Sequence, residues 1–226
     1  MANTECRLCG LKSPAAQLLT SQELEALEFN CAQINFKKGE IVFREGTFAT
    51  NITYLKSGLV KIHMKGPARD KILRIMKSPS YLGLPTTFGE KVNHYSATAL
   101  TDTQICFISL DTLRDFIFKN GGFAYENILE LCRNELKDYQ RYTNMSQKLL
   151  PGRLADILLC MSHELFNSNK FELPINYNEL SDFISTSRES VSRLLGEFCK
   201  EGIISINKKE LTILKEDILE KISLKG

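Results

Sequence analysis

The 226 residues predict an α+β chain: a β-rich jelly-roll domain, a long helix, and a C-terminal winged helix-turn-helix. Three observations carry that reading. Short β-branched runs divided by glycine and proline turns occupy residues 41–108. A helical period then starts at Leu110 and continues to about Leu149. Beyond Asn176, two short amphipathic helices flank a tight turn and lead into two short strands. Many short strands at close spacing suit a closed or rolled sheet, whereas periods of three and four suit helices. The expected domains are 1–120, 121–150 and 151–226.

Each element has its own signal. Leu18 to Phe29 reads as a short amphipathic helix with Leu24 and Leu27 on one face. Strands follow at Ile41–Phe43, Ile52–Leu55, Leu59–Ile62, Ile72–Met76, Ser96–Leu100 and Ile105–Ile108. The pairs Lys38-Gly39, Glu45-Gly46, Ser57-Gly58, Gly66-Pro67 and Ser78-Pro79 mark the turns between them. In the long helix, Leu129, Cys132, Leu136, Tyr139 and Thr143 fall at steps of three and four, the seam spacing of paired helices. Its lower half is polar, and packing back on the β domain is the alternative use of that face. Pro151-Gly152 breaks the chain as a hinge, and Arg153 to Phe166 forms the next helix.

Composition excludes several classes. No run of 18 apolar residues is present, so a membrane span is not expected, and the first residues lack a secretory pattern. A cytoplasmic protein is expected. Seven cysteines, odd in number and scattered, fit reduced thiols better than a disulfide scaffold. Cys132, Cys160 and Cys199 sit within apolar helical patterns and read as small core residues. The catalytic signatures of a nucleophile elbow, a P-loop or a zinc-protease helix are missing, so an enzyme is not expected.

Asn176 to Leu214 is the informative stretch. Asn176 with Glu179 makes a capping box for a helix through Ile184, and Ser185-Thr186-Ser187 turns the chain. Arg188 to about Lys200 forms the second helix, with Thr186 as its expected cap. Val191, Leu194, Leu195 and Phe198 form its apolar face. Arg188, Glu189, Ser192 and Arg193 lie on the other side near the N-terminal end, where a recognition helix meets base edges. Arginine pairs with guanine, glutamate accepts from cytosine and serine serves several bases. Two strands around Lys208 and Lys209 form a wing able to reach phosphate. Each residue alone could be plain surface; the set, after helix-turn-helix spacing, favours double-stranded DNA. Bulk charge does not help, because residues 151–226 hold 10 Lys/Arg against 12 Asp/Glu.

Ser187-Arg188-Glu189-Ser190-Val191-Ser192-Arg193-Leu194-Leu195-Gly196-Glu197-Phe198, followed by Glu201-Gly202-Ile203-Ile204, resembles the recognition helix and first wing strand of the Crp/Fnr family of bacterial transcription regulators. Lys38-Gly39-Glu40, Phe43, Glu45-Gly46, Tyr54, Ser57-Gly58 and Lys61 resemble that family's glycine-punctuated β-roll, and Gly152-Arg153-Leu154-Ala155 the start of its DNA-binding domain. The resemblance implies a cyclic-nucleotide-binding-like β-roll and a homodimer joined through the long helix. It further implies an inverted-repeat DNA site and contact with RNA polymerase. Glu189, Ser192 and Arg193 match the Fnr branch while Arg188 matches the Crp branch, which implies half-sites containing TGA with unsettled outer bases.

For the signal, three candidates are weighed. Cyclic AMP is disfavoured: in Tyr81-Leu82-Gly83-Leu84-Pro85 a leucine replaces the family's glutamate, and no arginine precedes Ser96. An iron–sulfur cluster or zinc is raised by Cys6, Cys9 and Cys106, which resemble Fnr-branch ligands; the third N-terminal cysteine of that branch is lacking, and Cys31 could stand in only if the chain folds back. A simple redox dithiol is the alternative for Cys6 and Cys9. Haem is the third, with His63 or His94 as its imidazole. A β-roll adaptor gating a protein partner and a ligand-independent regulator are the competing functions.

Overall fold

The computed structural model describes residues 6–67 and 69–226, and the chain divides into two compact units, Met1–Glu135 and Leu136–Gly226. The first is the jelly roll. A 3₁₀ turn at Ala15–Leu18 leads into α1 (Ser21–Phe29), which opens on a capping box between Thr20 and Glu23. The strands are β1 (Cys31–Phe36), β2 (Ile41–Phe43), β3 (Asn51–Ser57), β4 (Leu59–Lys65), β5 (Asp70–Lys77), β6 (Ser80–Leu82), β7 (Ser96–Ala99) and β8 (Thr103–Ser109), with a short α2 (Leu84–Phe88) after β6. They form two four-stranded antiparallel sheets, ordered β1-β8-β3-β6 and β2-β7-β4-β5. Alternation puts one face of each sheet inward, where Leu55, Val60, Ile62, Leu82, Ala97 and Ile105 form one buried cluster, while Ile52, Tyr54 and Ile108 on the other face of the first sheet pack in a second cluster with Leu27, Leu113 and Phe116.

Three elements were not expected. β1, β6 and α2 lie in stretches whose apolar residues are too few or too short-ranged for a period to show. β1 is half exposed, with alternation interrupted by Asn35, and is recruited only by pairing with β8. The first helix is also shorter than expected, starting at Ser21 because Thr20 caps it.

The expected continuous helix from Leu110 is two helices, α3 (Leu110–Lys119) and α4 (Gly121–Gln147). Asn120 interrupts them: its backbone is extended and its side-chain carbonyl accepts from the Phe123 amide 3.0 Å away, starting the second helix. Phe116 and Phe123 then meet edge to face, 5.7 Å between centroids, and seal the core beneath α1.

The second unit contains the end of α4, then α5 (Leu150–Cys160), which runs on as a π-helix over Met161–Phe166. After β9 (Lys170–Glu172) come α6 (Tyr177–Phe183), α7 (Arg188–Lys200), β10 (Ile204–Asn207), β11 (Glu210–Ile213) and α8 (Glu216–Lys225). β9, also unforeseen, extends the wing to a three-stranded sheet ordered β10-β11-β9. The break that the sequence places at Pro151-Gly152 falls at Lys148–Leu149, between α4 and α5. Pro151 sits in the first turn of α5, where a missing amide proton costs nothing.

The polar lower half of α4 has a physical explanation here: it is clamped to its own unit. Lys148 Nζ lies 2.7 Å from Asp156 Oδ1, both side chains about one-fifth exposed, and Asn144 donates to the same carboxylate at 3.0 Å. Lys137 pairs with Glu164 at 2.7 Å, and the Arg141 guanidinium stands 3.9 Å above the Phe183 ring. Cys132 and Cys160, expected in the core, are exposed instead, and Cys199 is only partly covered.

Gly58 makes the β3–β4 corner at φ +97°, and a Cβ there would fall 2.7 Å from the Asp102 carbonyl oxygen. A left-handed backbone and a clash with main chain both penalise any side chain. Gly58→Ala is therefore expected to destabilise the β domain by about 2 kcal/mol or more, read as a lowered denaturant midpoint with unchanged m-value.

Candidate nucleic-acid interface and cysteine cavity

Local sequence sets the geometry of α6 and α7. Asn176 accepts from the Glu179 amide at 3.0 Å while Glu179 accepts from the Asn176 amide at 2.9 Å, the reciprocal box expected from the sequence. After α6 the chain turns through Ser185 at φ +56°. The cap of α7 is Ser187, not Thr186: the Ser187 hydroxyl accepts from the Ser190 amide at 3.2 Å. Thr186 is one residue too early; its own amide is used in the turn, donating to the Ser181 carbonyl at 2.9 Å. Sequence alone could not separate the two, since both are good caps.

Val191, Leu194, Leu195 and Phe198 are all buried, with at most 4% exposure. At 100° per residue that burial forces the opposite face outward. Arg188, Glu189, Ser192 and Arg193 are all exposed at the start of α7, beside exposed Ser187 and half-buried Thr186. Arg193 lies 2.7 Å from Glu197 one turn on, with its side chain 62% exposed. An exposed pair of this kind contributes only about 0.3–0.5 kcal/mol, so exchanging Glu197 for a base edge costs little. Its own helix-start amide and the Ser187 hydroxyl hold the Glu189 carboxyl below the usual carboxylate range, which keeps it an acceptor. Lys208 and Lys209 are exposed at the β10–β11 turn, Lys208 in the left-handed region at φ +58°.

In α4, Leu136 and Tyr139 are 66% and 60% exposed, and Cys132 and Thr143 are exposed too; Leu129 is half-buried. Tyr125, Ile128 and Tyr142 extend the same row of exposed apolar groups.

A second site lies in the β domain. Cys6, Cys9 and Cys106 line one small cavity, joined by Cys31, Lys56, Tyr54 and Tyr81. The chain does fold back: Cys31 lines the same cavity as Cys6, Cys9 and Cys106. Hydrogen bonding from Cys31 lowers the Cys6 and Cys106 thiols; the same bonds and burial push Cys31 itself up. Burial pushes the Tyr81 phenol to about 12. Among the described residues no three His, Cys, Asp or Glu side chains are grouped to hold a metal ion. The cavity measures about 40 Å³, room for a few water molecules and not for a nucleotide. Tyr54 and Tyr81 were not among the expected site residues, and Cys31 was expected there only on condition that the chain folds back; the strand register brings all three in.

The other candidate ligands are occupied. His63 contacts Asp70 through Nδ1 at 3.2 Å and Thr98 through Nε2 at 2.9 Å, and His94 pairs with Glu90 at 3.0 Å. In the stretch where a cyclic nucleotide's phosphate would be held, Leu84 is buried at 4% exposure and the Ser96 hydroxyl accepts from the Glu45 amide at 3.0 Å. No helix among the described residues is long and apolar enough to cross a membrane.

Comparison with known proteins agrees with this division. A family model for the cyclic nucleotide-binding domain matches residues 33–120, and one for the Crp-like helix-turn-helix domain matches residues 152–222. The anaerobic regulatory protein of Bacillus subtilis is 27% identical over 211 residues, spanning 90% of this chain and 89% of that protein. The transcriptional activator protein FnrA of Stutzerimonas stutzeri is 25% identical over 215 residues, 93% and 87% of the two chains. Among solved structures, FixK2 from Bradyrhizobium japonicum has the same fold, with a TM-score of 0.76 at 18% identity over 85% of this chain and 96% of that one.

Ser187→Ala is expected to lower stability by about 1 kcal/mol through loss of the α7 cap, measured as a reduced melting temperature.

Proposed function

The chain belongs to the Crp/Fnr family of DNA-binding transcription regulators, not enzymes, and from that premise we propose that it acts as a cytoplasmic homodimer reading a palindrome with TGA-containing half-sites. The observation that carries this reading is the exposure of Arg188, Glu189, Ser192 and Arg193 together at the start of a helix whose other face is buried. Arg193 offers its fork to guanine O6 and N7, Glu189 accepts from a cytosine amine, and Ser192 supports a neighbouring base. Thr186 and Ser187, with Lys208 and Lys209 in the wing, position the helix on phosphates. RNA polymerase is the further partner that the family implies.

The dimer reading rests on α4. An exposed row from Tyr125 through Ile128, Cys132, Leu136 and Tyr139 is costly in water and suits a second copy of the same helix. Leu136 and Tyr139 are the residues whose burial would contribute most. An adaptor function for the β domain would leave the exposed polar face of α7 without a use.

The signal, in this reading, is something other than cyclic AMP. Leu84 fills the place of a phosphate-binding glutamate, and the Ser96 hydroxyl is already engaged. Haem through His63 is disfavoured because both of its ring nitrogens are hydrogen-bonded, whereas His94 is engaged through Nε2 alone, with Glu90. The cavity that Cys6, Cys9 and Cys106 share is a place where a signal could be read.

Arg193→Ala is expected to cost about 1–3 kcal/mol of affinity for a TGA palindrome and to relax preference at one guanine. Fluorescence anisotropy against matched and scrambled duplexes measures both; equal loss on the two duplexes would overturn the role. Lys208→Ala should instead weaken both alike and reduce the salt slope by about one. Leu136→Glu is expected to shift sedimentation equilibrium from dimer to monomer; an unchanged dimer mass would remove the α4 interface.

A further inference from the structure

The lower half of α4 is attached to its unit in two ways. Lys148 and Asn144 on Asp156, and Lys137 on Glu164, stop at α5 and the π-helix that continues it. Arg141 and Arg153 reach further, to the end of α6. The Arg141 guanidinium lies 3.9 Å above the ring of Phe183, which is 6% exposed. Arg153, in the first turns of α5, donates through Nε to the Lys148 carbonyl at 2.8 Å and through Nη1 to the Ile184 carbonyl at 3.4 Å.

Lys148 directly follows α4 and Ile184 closes α6, so one guanidinium meets the carbonyl ends of two helices. Carbonyls at that end have no partner within their own helix and carry the negative pole of its dipole. A planar fork holds two such acceptors in fixed directions, which the single point of an ammonium does not. A turn with little freedom passes this hold to α7. Ser185 is left-handed at φ +56°, the Thr186 amide donates back to the Ser181 carbonyl at 2.9 Å, and Ser187 caps the helix. Burial of the α7 stripe decides which face of that helix turns outward, but apolar burial is non-directional. The two arginines supply a direction: they fix where the end of α6, and so the start of α7, stands relative to α4.

In a dimer joined through α4, that relation enters twice, once in each protomer. One added base pair moves a half-site by about 3.4 Å along the duplex and turns it by about 35°. A reading helix free to pivot absorbs such a change, and a braced one does not. We propose that Arg141 and Arg153 are positioning residues that set the half-site spacing this protein accepts, without touching a base themselves. This role rests on the dimeric DNA-reading function proposed above.

Duplexes selected by the full-length chain from a random library supply the bound half-site, whether or not it contains TGA. Palindromes of it are built at the selected spacing and at one base pair more and less, with scrambled half-sites as control, and fluorescence anisotropy gives the affinities. Wild type is expected to favour the selected spacing by about tenfold, comparable with the worth of one base contact. Arg141→Leu and Arg153→Gln should each reduce that preference about threefold, the order of a lost cation–π contact or hydrogen bond. Preference for real over scrambled half-sites should be unchanged. Arg141→Lys keeps a cation over the ring and should retain the spacing rule, whereas Arg153→Lys, lacking the fork, should lose it. Circular dichroism and sedimentation of each variant report fold and dimer mass; should either Arg153 variant unfold, the Arg141 pair carries the test. Unchanged spacing ratios in folded variants, a real-over-scrambled preference that falls in step with them, or a wild-type chain indifferent to spacing would each overturn the proposal. A selected half-site without TGA would overturn the base reading alone, and the spacing test would proceed on that half-site.

Discussion

The buried stripe on α7 constrains everything that the second unit does. Val191, Leu194, Leu195 and Phe198 are withdrawn from water where α7 packs on α6, beside buried Leu180 of α6 and Ile184 just after it. Burying four such side chains is worth on the order of 6–12 kcal/mol, an upper figure because the unfolded chain is itself partly collapsed. A rotation of α7 by one residue would trade part of that for a buried arginine or glutamate, which costs far more. The helix therefore has one orientation about its axis, and the direction of Arg188, Glu189, Ser192 and Arg193 is fixed by leucines rather than by any contact the polar groups make. Recognition chemistry of this kind is inexpensive to vary, since the outward residues carry almost none of the fold.

The β domain follows a different logic. Its cysteine cavity is assembled from an unpaired leading segment, the first strand and the eighth, so its parts come from residues about 100 positions apart. Antiparallel register places Cys106 opposite Gln33 and beside Tyr54, and the hydroxyls of Tyr54 and Tyr81 anchor the leading segment over them.

How much of this was legible depended on the range of the interaction involved. Capping at Asn176, the stripe on α7 and the paired strands of the wing are local, and each was readable from spacing. The cap of α7 fell one residue from the expected Thr186, because Thr186 and Ser187 are chemically alike and only the depth of the turn chooses between them. Asn120 hid a break within a continuous apolar period, since its side chain replaces the missing backbone bond. β1 and β9 have little pattern of their own and exist through their partners. Cys31 could be placed at the candidate site only conditionally for the same reason: nothing within ten residues of it announces a thiol neighbour. The break expected at Pro151 falls just before it, because proline in a first turn begins a helix as readily as it ends one.

The clamp between the lower half of α4 and the helices that follow has a mechanical meaning. With Lys148 and Asn144 on Asp156, Lys137 on Glu164 and Arg141 on Phe183, four separate attachments along nearly three turns oppose slippage between that shaft and its reading head. A fragment meant to carry the helix-turn-helix alone should therefore keep the shaft from residue 136 onward instead of starting at Pro151, since cutting there would remove every one of these attachments.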